Sequence, residues 1–329
     1  MMSAIQVIHS GFFTTVQDGG RFGYQKAGVS VGGVMDSFAS RLANLLVRNG
    51  PNEATLEITM SGPTLRFETD ALLAICGGSF RCTLNGESVS MWKPLVARSG
   101  DILSIGACQN GYRAYVAFAG GLNIPLVMNS RSTHVQAHIG GFHGRSLQPG
   151  DVLPLRSNTL TIPESPIRWG IAFSARNYIN GKRKIVRVVE GPEYHMFTEQ
   201  SQERFFSSTY EVTTQSDRMG YRLQGQALER KTNQEMISEA VTFGTIQVPK
   251  KGQPIVLMAD CQTTGGYPRI AQVISVDLPI LAQARPGDHI QFQKVSWQEA
   301  RQLYTEREQQ MKRWKRMIQQ KWREVHDAH

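Results

Sequence analysis

Glycine and proline punctuate this chain almost everywhere except at its end, and that distribution restricts the fold more than any other feature. All thirty-one glycines and fourteen prolines precede Trp297; from Trp297 to His329 there is neither. Dense turn residues with short apolar runs between them predict many short strands. Thr64–Glu68, Ala71–Cys76, Arg81–Leu84 and Ala114–Phe118 read as strands, and Asn85-Gly86 predicts a two-residue hairpin between Arg81–Leu84 and Glu87–Met91. One helix is expected from Asp36, whose carboxylate suits a cap, to about Val47, with Phe38, Leu42, Leu45 and Leu46 on one side. In the uninterrupted tail, Trp297, Tyr304, Met311, Ile318 and Val325 recur every seventh residue, and Trp314 and Trp322 widen the stripe. That pattern predicts a long amphipathic helix that docks its apolar stripe on its own chain or, alternatively, on a partner.

The chain of 329 residues is long enough for two domains, and 40% hydrophobic against 19% charged residues predicts a real core. The net charge of +9 includes the run Arg168, Arg176, Lys182, Arg183, Lys184 and Arg187 and a second excess beyond residue 310. No zinc finger, helix-turn-helix or aromatic-rich basic sheet motif accompanies it, so nucleic acid is not expected; an anionic small substrate or an acidic partner subunit fits the charge. No apolar run is long enough to span a bilayer and no signal peptide is legible, so no membrane association is expected. Cys76, Cys82, Cys108 and Cys261 lack Cys-x-x-Cys spacing and read as reduced thiols of a cytoplasmic protein.

Short echoes run through the sequence. Arg21-Phe22-Gly23-Tyr24 matches Arg218-Met219-Gly220-Tyr221, and Gly62-Pro63 matches Gly191-Pro192. Ser99-Gly100-Asp101, Pro149-Gly150-Asp151 and Pro286-Gly287-Asp288 each precede an apolar run. Two related β domains would produce them, the second beginning after Pro163–Pro166; chance is the alternative.

Four polar constellations could carry chemistry: Gln17-Asp18-Gly19-Gly20-Arg21 with Gly32-Gly33-Val34-Met35-Asp36; Ser216–Arg222; Gly244–Pro249 with Gly252-Gln253-Pro254; and Asp260–Pro268. In the last, the run Ile255–Ala259 reads as a buried strand ending in a tight loop, where Gly265-Gly266 permits positive φ and close approach to a ligand. Arginine beside a glycine-rich turn suits a carboxylate or phosphate, although an Asp–Arg pair that only pins a turn is the commoner outcome. There is no P-loop, since Gly181-Lys182 continues as Arg183, and no Gly-x-Ser-x-Gly elbow. His134 and His138 have i,i+4 spacing, but Gly140-Gly141 argues for a loop, so no metal site is expected there.

Taken together, Gln17-Asp18-x-Gly-Arg21, Ser216–Leu223, Gly244–Pro249 and Asp260-x-Gln262-Thr263-Thr264-Gly265-Gly266-Tyr267-Pro268 resemble the allophanate hydrolase subunit 2 family, which includes the KipI antagonist and biotin-dependent carboxyltransferases. The resemblance covers about Ile5 to Val295 and is nearest to the C-type subunit of 5-oxoprolinase. It implies a mainly β fold of two tandem cyclophilin-like β-barrels, residues 1–163 and 164–295, followed by the helix at 296–329. It implies a KipI-like subunit 1 and a third subunit as partners, with ATP and Mg2+ as cofactors and opening of 5-oxo-L-proline to L-glutamate as the reaction. On that reading Asp18, Arg21, Arg218 and Asp260 are the candidate catalytic residues. Asp36, Tyr221, Gln247, Gln262, Thr263, Thr264, Gly265, Gly266 and Tyr267 are the candidate substrate-binding residues. The alternatives are a carboxyltransferase subunit of a urea carboxylase, with biotin arriving on another protein, and a non-enzymatic antagonist of a KipI-like kinase inhibitor. No biotin-attachment sequence is present in this chain.

Overall fold

The computed structural model describes residues 3–156, 162–164, 166–179, 183–232 and 236–327; Lys182 of the basic run, Gly181-Lys182 and part of Pro163–Pro166 lie outside them. The architecture is mainly β with a long C-terminal helix. Two compact units form. The first comprises Met1–Arg21, Asp36–Asn180 and Gln310–His329, the second Phe22–Met35 and Gly181–Gln309. This differs from a cut at 163/164 because Met35 is fully buried in the second unit's core and Met311, Ile318 and Trp322 are buried in the first.

The second unit is a closed seven-stranded barrel. Around it run Arg183–Glu190, Arg269–Val273, Thr245–Gln247, Ile255–Leu257, Gly220–Gln224, Thr209–Val212 and His289–Lys294. It closes through the parallel pairing of Arg183–Glu190 with His289–Lys294. Closure removes the exposed edges that a short-stranded sheet would otherwise present. Val188, Tyr221, Val256, Ile270 and Phe292 fill the interior, and Phe205 of helix Glu199–Ser207 stacks on Phe292 at 4.7 Å.

The first unit holds a nine-stranded branched sheet. Its spine is Ile102–Phe118, which pairs at one end with Thr64–Phe67 and at the other with Thr55–Thr59, and along its length with Ala71–Leu84. The two runs expected at Ala71–Cys76 and Arg81–Leu84 are therefore one strand, bent where its register shifts between Gly77 and Cys82. Gly77 has φ of 117°, and a Cβ there would lie 2.4 Å from the Arg113 carbonyl oxygen, so only glycine fits the bend. Asn85-Gly86 makes the expected turn with both φ positive (52° and 85°), though only Thr83–Leu84 and Glu87–Ser88 pair across it.

The three glycine-aspartate echoes fold the same way. Gly100, Gly150 and Gly287 have φ of 91°, 91° and 87°. Asp101, Asp151 and Asp288 each accept the N–H of the residue three positions back, Arg98, Gln148 and Arg285, and donate their own N–H to that residue's carbonyl. Each turn then clamps one residue of another segment, Phe67, Val7 or Val212, by a reciprocal pair of backbone hydrogen bonds.

Helix Ser37–Leu46 begins where expected, with Asp36 Oδ1 accepting from Ala39 N–H at 2.9 Å. The C-terminal helix runs Trp297–Asp327, but only part of its predicted stripe is buried. Met311, Ile318 and Trp322 are buried, and Trp322 Nε1 donates to the Leu46 carbonyl. Trp297 and Tyr304 are 70% and 52% exposed, and Ala300 and Leu303 pack instead against Val189, Ile274, Val276 and Val295. A 31-residue helix drifts relative to a seven-residue repeat, so one stripe does not face one surface along its whole length.

Candidate active site

The loop Gln262–Pro268 is anchored at both ends and open in the middle. Ahead of it, Met258 N–H and Asp260 N–H donate to the carbonyls of Met219 and Arg218, and Gly32 N–H donates to the Ala259 carbonyl. Arg218 grips Asp260 with two donors, Nε to Oδ2 at 2.7 Å and Nη2 to Oδ1 at 2.8 Å, and Nη2 also reaches the Gly33 carbonyl at 2.7 Å. Both side chains are buried. The left-handed φ of Gly32 and Gly33 (64° and 90°) brings their segment against this pair. Planar guanidinium and planar carboxylate meet through parallel hydrogen bonds, a fixed and strong geometry. Arg218 and Asp260, both expected as catalytic, therefore position the loop.

Beyond the loop, Val248 N–H donates to the Pro268 carbonyl and Gln247 Nε2 to the Tyr267 carbonyl. Arg269 lies one residue past the motif that sequence reasoning singled out. It donates to Glu193 through Nε (2.7 Å) and Nη2 (2.6 Å), and to Glu239 and the Ala240 carbonyl. Glu239–Ala240 is the strand that pairs with Thr264–Gly265. Arg269 thus fixes the loop from behind, a role that its place next to Tyr267-Pro268 hints at but that its distant partners decide. Burial pushes the Glu193 carboxyl up, yet the Arg269 hydrogen bonds outweigh it and hold it below the usual range.

The glycine pair does not act as expected. Neither Gly265 nor Gly266 has positive φ, and Thr264–Gly265 is a short strand, not a tight turn. Gly265 leaves space instead: a Cβ would stand 2.4 Å from Gln247 Nε2 and would push aside the amide that holds the Tyr267 carbonyl. Gln247 and Tyr221 are buried, the latter donating its hydroxyl to the Ala284 carbonyl inside the barrel. Neither faces a ligand from this side. Cys261 is buried, and burial, then the charge of Asp260, pushes its thiol up to about 11, so it is inert.

Among the described residues, the side chains of Gln262, Thr263 and Thr264 make no hydrogen bond with the protein, and Gln262, Thr264, Gly266 and Tyr267 are exposed. Two hydroxyls, an amide and a phenol stand on a backbone braced from both sides. Such an array is suited to a polar planar group such as an amide or a carboxylate.

The remaining expected residues lie in the first unit. Asp18 is enclosed: Oδ1 accepts from Ser130 and Ser132 hydroxyls (2.7 and 2.6 Å) and from Gly20 N–H, and Oδ2 from Arg131 N–H. Arg21 is fully buried and donates to the carbonyls of Val127 and Ser132. Asp36 is fully buried, caps its helix with one oxygen and accepts the Tyr178 hydroxyl at 2.7 Å with the other. Burial, then the neighbouring Asp36 charge, drives the Tyr178 phenol well above its ordinary range. These groups hold loops and a helix start in place, because each is committed to buried donors or acceptors. His134 and His138 lie in a turn-rich segment, His138 with φ of 54°.

Comparison with known proteins places this architecture. Residues 27–294 match the family model described as "Carboxyltransferase domain, subdomain A and B". The chain is 43% identical over 296 residues to the C-type subunit of 5-oxoprolinase from Escherichia coli K12, covering 90% of this chain and 93% of that one. It is 39% identical to the namesake of that protein in Haemophilus influenzae, over 93% and 96%. Among solved structures, Kluyveromyces lactis urea carboxylase is similar with a TM-score of 0.88 at 33% identity, covering 94% of this chain but only 29% of that larger one. On these matches the chain belongs to the carboxyltransferase domain family of subdomains A and B.

Proposed function

We propose that this chain is the C-type subunit of a multi-subunit 5-oxoprolinase, which opens the lactam of 5-oxo-L-proline to L-glutamate with release of ADP and phosphate from ATP. The observation that carries this reading is identity of 43% along nearly the full length of the Escherichia coli protein of that name. The free polar groups of Gln262–Thr264 support it, because a lactam and its carboxylate both need directed hydrogen bonds. Thr263 and Thr264 would hold the amide oxygen, the Gln262 amide and Tyr267 hydroxyl would orient the ring, and Gly265 keeps room for the Gln247 brace.

Asp18, Asp36 and Asp260 do not fit a metal–nucleotide site, since their oxygens are taken by hydroxyls, backbone N–H groups and Arg218. Among the described residues no group of three or more His, Cys, Asp and Glu side chains is gathered as metal ligands. We assign ATP and Mg2+ to the partner chains, a KipI-like subunit and a third, A-type subunit. Among the described residues no helix is long and apolar enough to cross a membrane. We place the complex in the cytoplasm, where the four free thiols stay reduced.

The test is reconstitution of the three subunits and measurement of 5-oxoproline-dependent ADP and glutamate release. Thr264→Ala should lower turnover by about 10²-fold, as loss of one directed donor does. An intact complex that releases no glutamate would sink the proposal. The similarity to urea carboxylase supports a second reading, carboxyl transfer from a biotin carrier, and a parallel assay with a carboxylated carrier and urea decides between them.

A further inference from the structure

We propose that the first unit contains a second ligand pocket, for a small carboxylate with an apolar body, in which Arg176 binds the carboxylate. The cavity measures about 340 Å3 and is lined by Arg176, Trp92, Phe80 and Phe173, with Ser90 and Asn110 among its polar residues. Small-molecule sites begin at about 300 Å3, so it suits a compact ligand.

Arg176 is the feature that asks for an anion. Its guanidinium lies 5.7 Å from the Trp92 ring centre and 5.6 Å from that of Phe173. One hydrogen bond, from Nη2 to the Ile171 carbonyl, is long at 3.3 Å, and Nε is buried without any partner. Among the described residues no carboxylate pairs with it. Four other arginines, Arg218, Arg269, Arg187 and Arg145, each hold a carboxylate through two donors. Burial, opposed only by the Cys76 thiol, pulls the Arg176 guanidinium below its ordinary range, which marks a cation short of counter-charge. A carboxylate is the anion that matches two parallel guanidinium donors, and aromatic walls favour an apolar body behind it over a fully hydrated phosphate.

The pocket is partly open, with Phe173 and Ser90 exposed on its lining, but its Trp92 wall is fixed in place. Trp92 is buried with φ of 64°, unusual for a bulky side chain, and is held there by hydrogen bonds from its N–H to the Ile75 carbonyl and from Ile171 N–H to its own carbonyl. Ile171 is the same residue whose carbonyl orients Arg176. Gly170 permits this approach, since a Cβ would lie 2.6 Å from the Trp92 carbonyl oxygen.

The experiment is calorimetric titration of the full chain with benzoate, with benzamide and inorganic phosphate as controls. Benzoate should bind, benzamide should not, and phosphate should bind more weakly than benzoate. Arg176→Gln should weaken benzoate at least tenfold, with Arg176→Lys between the two. Ser90→Trp, at an exposed position on the pocket lining, should block binding while leaving the fold intact, and decides the matter if Arg176→Gln misfolds. Absence of benzoate binding, equal binding to Arg176→Gln of native stability, or preference for phosphate would overturn the proposal. The readout is binding to the isolated chain, so it stands or falls separately from the 5-oxoprolinase assignment.

Discussion

Each unit contains an arginine from the shared Arg-x-Gly-Tyr echo and a buried aspartate of its own, yet the two units use them in opposite ways. In the second unit Arg218 and Asp260 form one bidentate ion pair across 42 residues of sequence. In the first, Asp18 is held by serine hydroxyls and backbone N–H groups, while Arg21 is held by backbone carbonyls. A buried charge needs partners, but a counter-charge is only one way to supply them. The difference matters for the neighbouring loops. The ion pair locks the entrance of the exposed Gln262–Tyr267 loop, whereas Asp18 gathers Ser130–Ser132 against its own turn.

The largest effect is expected from Asp260→Ala, which strands the buried Arg218 charge. It should cost about 3–5 kcal/mol by chemical denaturation, and the double change Arg218→Met with Asp260→Leu should recover most of it. Asp18→Ala leaves neutral hydroxyls and N–H groups that can partly re-pair, so a smaller loss of about 2–3 kcal/mol is expected in the same measurement. If Asp18→Ala proved the more damaging, the distinction between the units would fail.

Acid pH acts on both units, since each has a bidentate carboxylate whose titration is displaced. Arg145 hydrogen bonds hold Asp151 below its ordinary 3.8, and Glu193 is held below its ordinary 4.5 despite burial. Folded values below unfolded ones mean stability that is present above the ordinary values and lost as pH falls through the folded ones. Thermal stability should thus decline below pH 4.5, and Glu193→Gln should flatten that decline in the second unit while Arg145→Gln does so in the first. The smallest stability effect belongs to Thr264→Ala, within about 0.5 kcal/mol, because its exposed side chain has no partner. Its lost turnover in the assembled complex would then be a loss of chemistry and not of folding.

Legibility from sequence tracked the distance over which each feature is decided. The Asp36 cap, the Asn85-Gly86 turn, the C-terminal helix and the repeated glycine-aspartate turns all depend on residues within four positions of one another, or on one helical period. Arg269 went unnoticed because its partners Glu193 and Glu239 lie 76 and 30 residues away. The left-handed freedom expected of Gly265-Gly266 was a local inference; the space that Gly265 leaves for Gln247 is not.

The amino-acid sequence by itself determined a turn-rich β protein with one long terminal helix, because hydrophobic periodicity and glycine conformational freedom act over a few residues. Tertiary structure alone decided which acids and bases are spent. It paired Arg218 with Asp260, enclosed Asp18 and Asp36, left Thr264 open and, among the described residues, left Arg176 without a carboxylate. Desolvation and counter-charge are set by neighbours brought together by folding, and no local pattern encodes them.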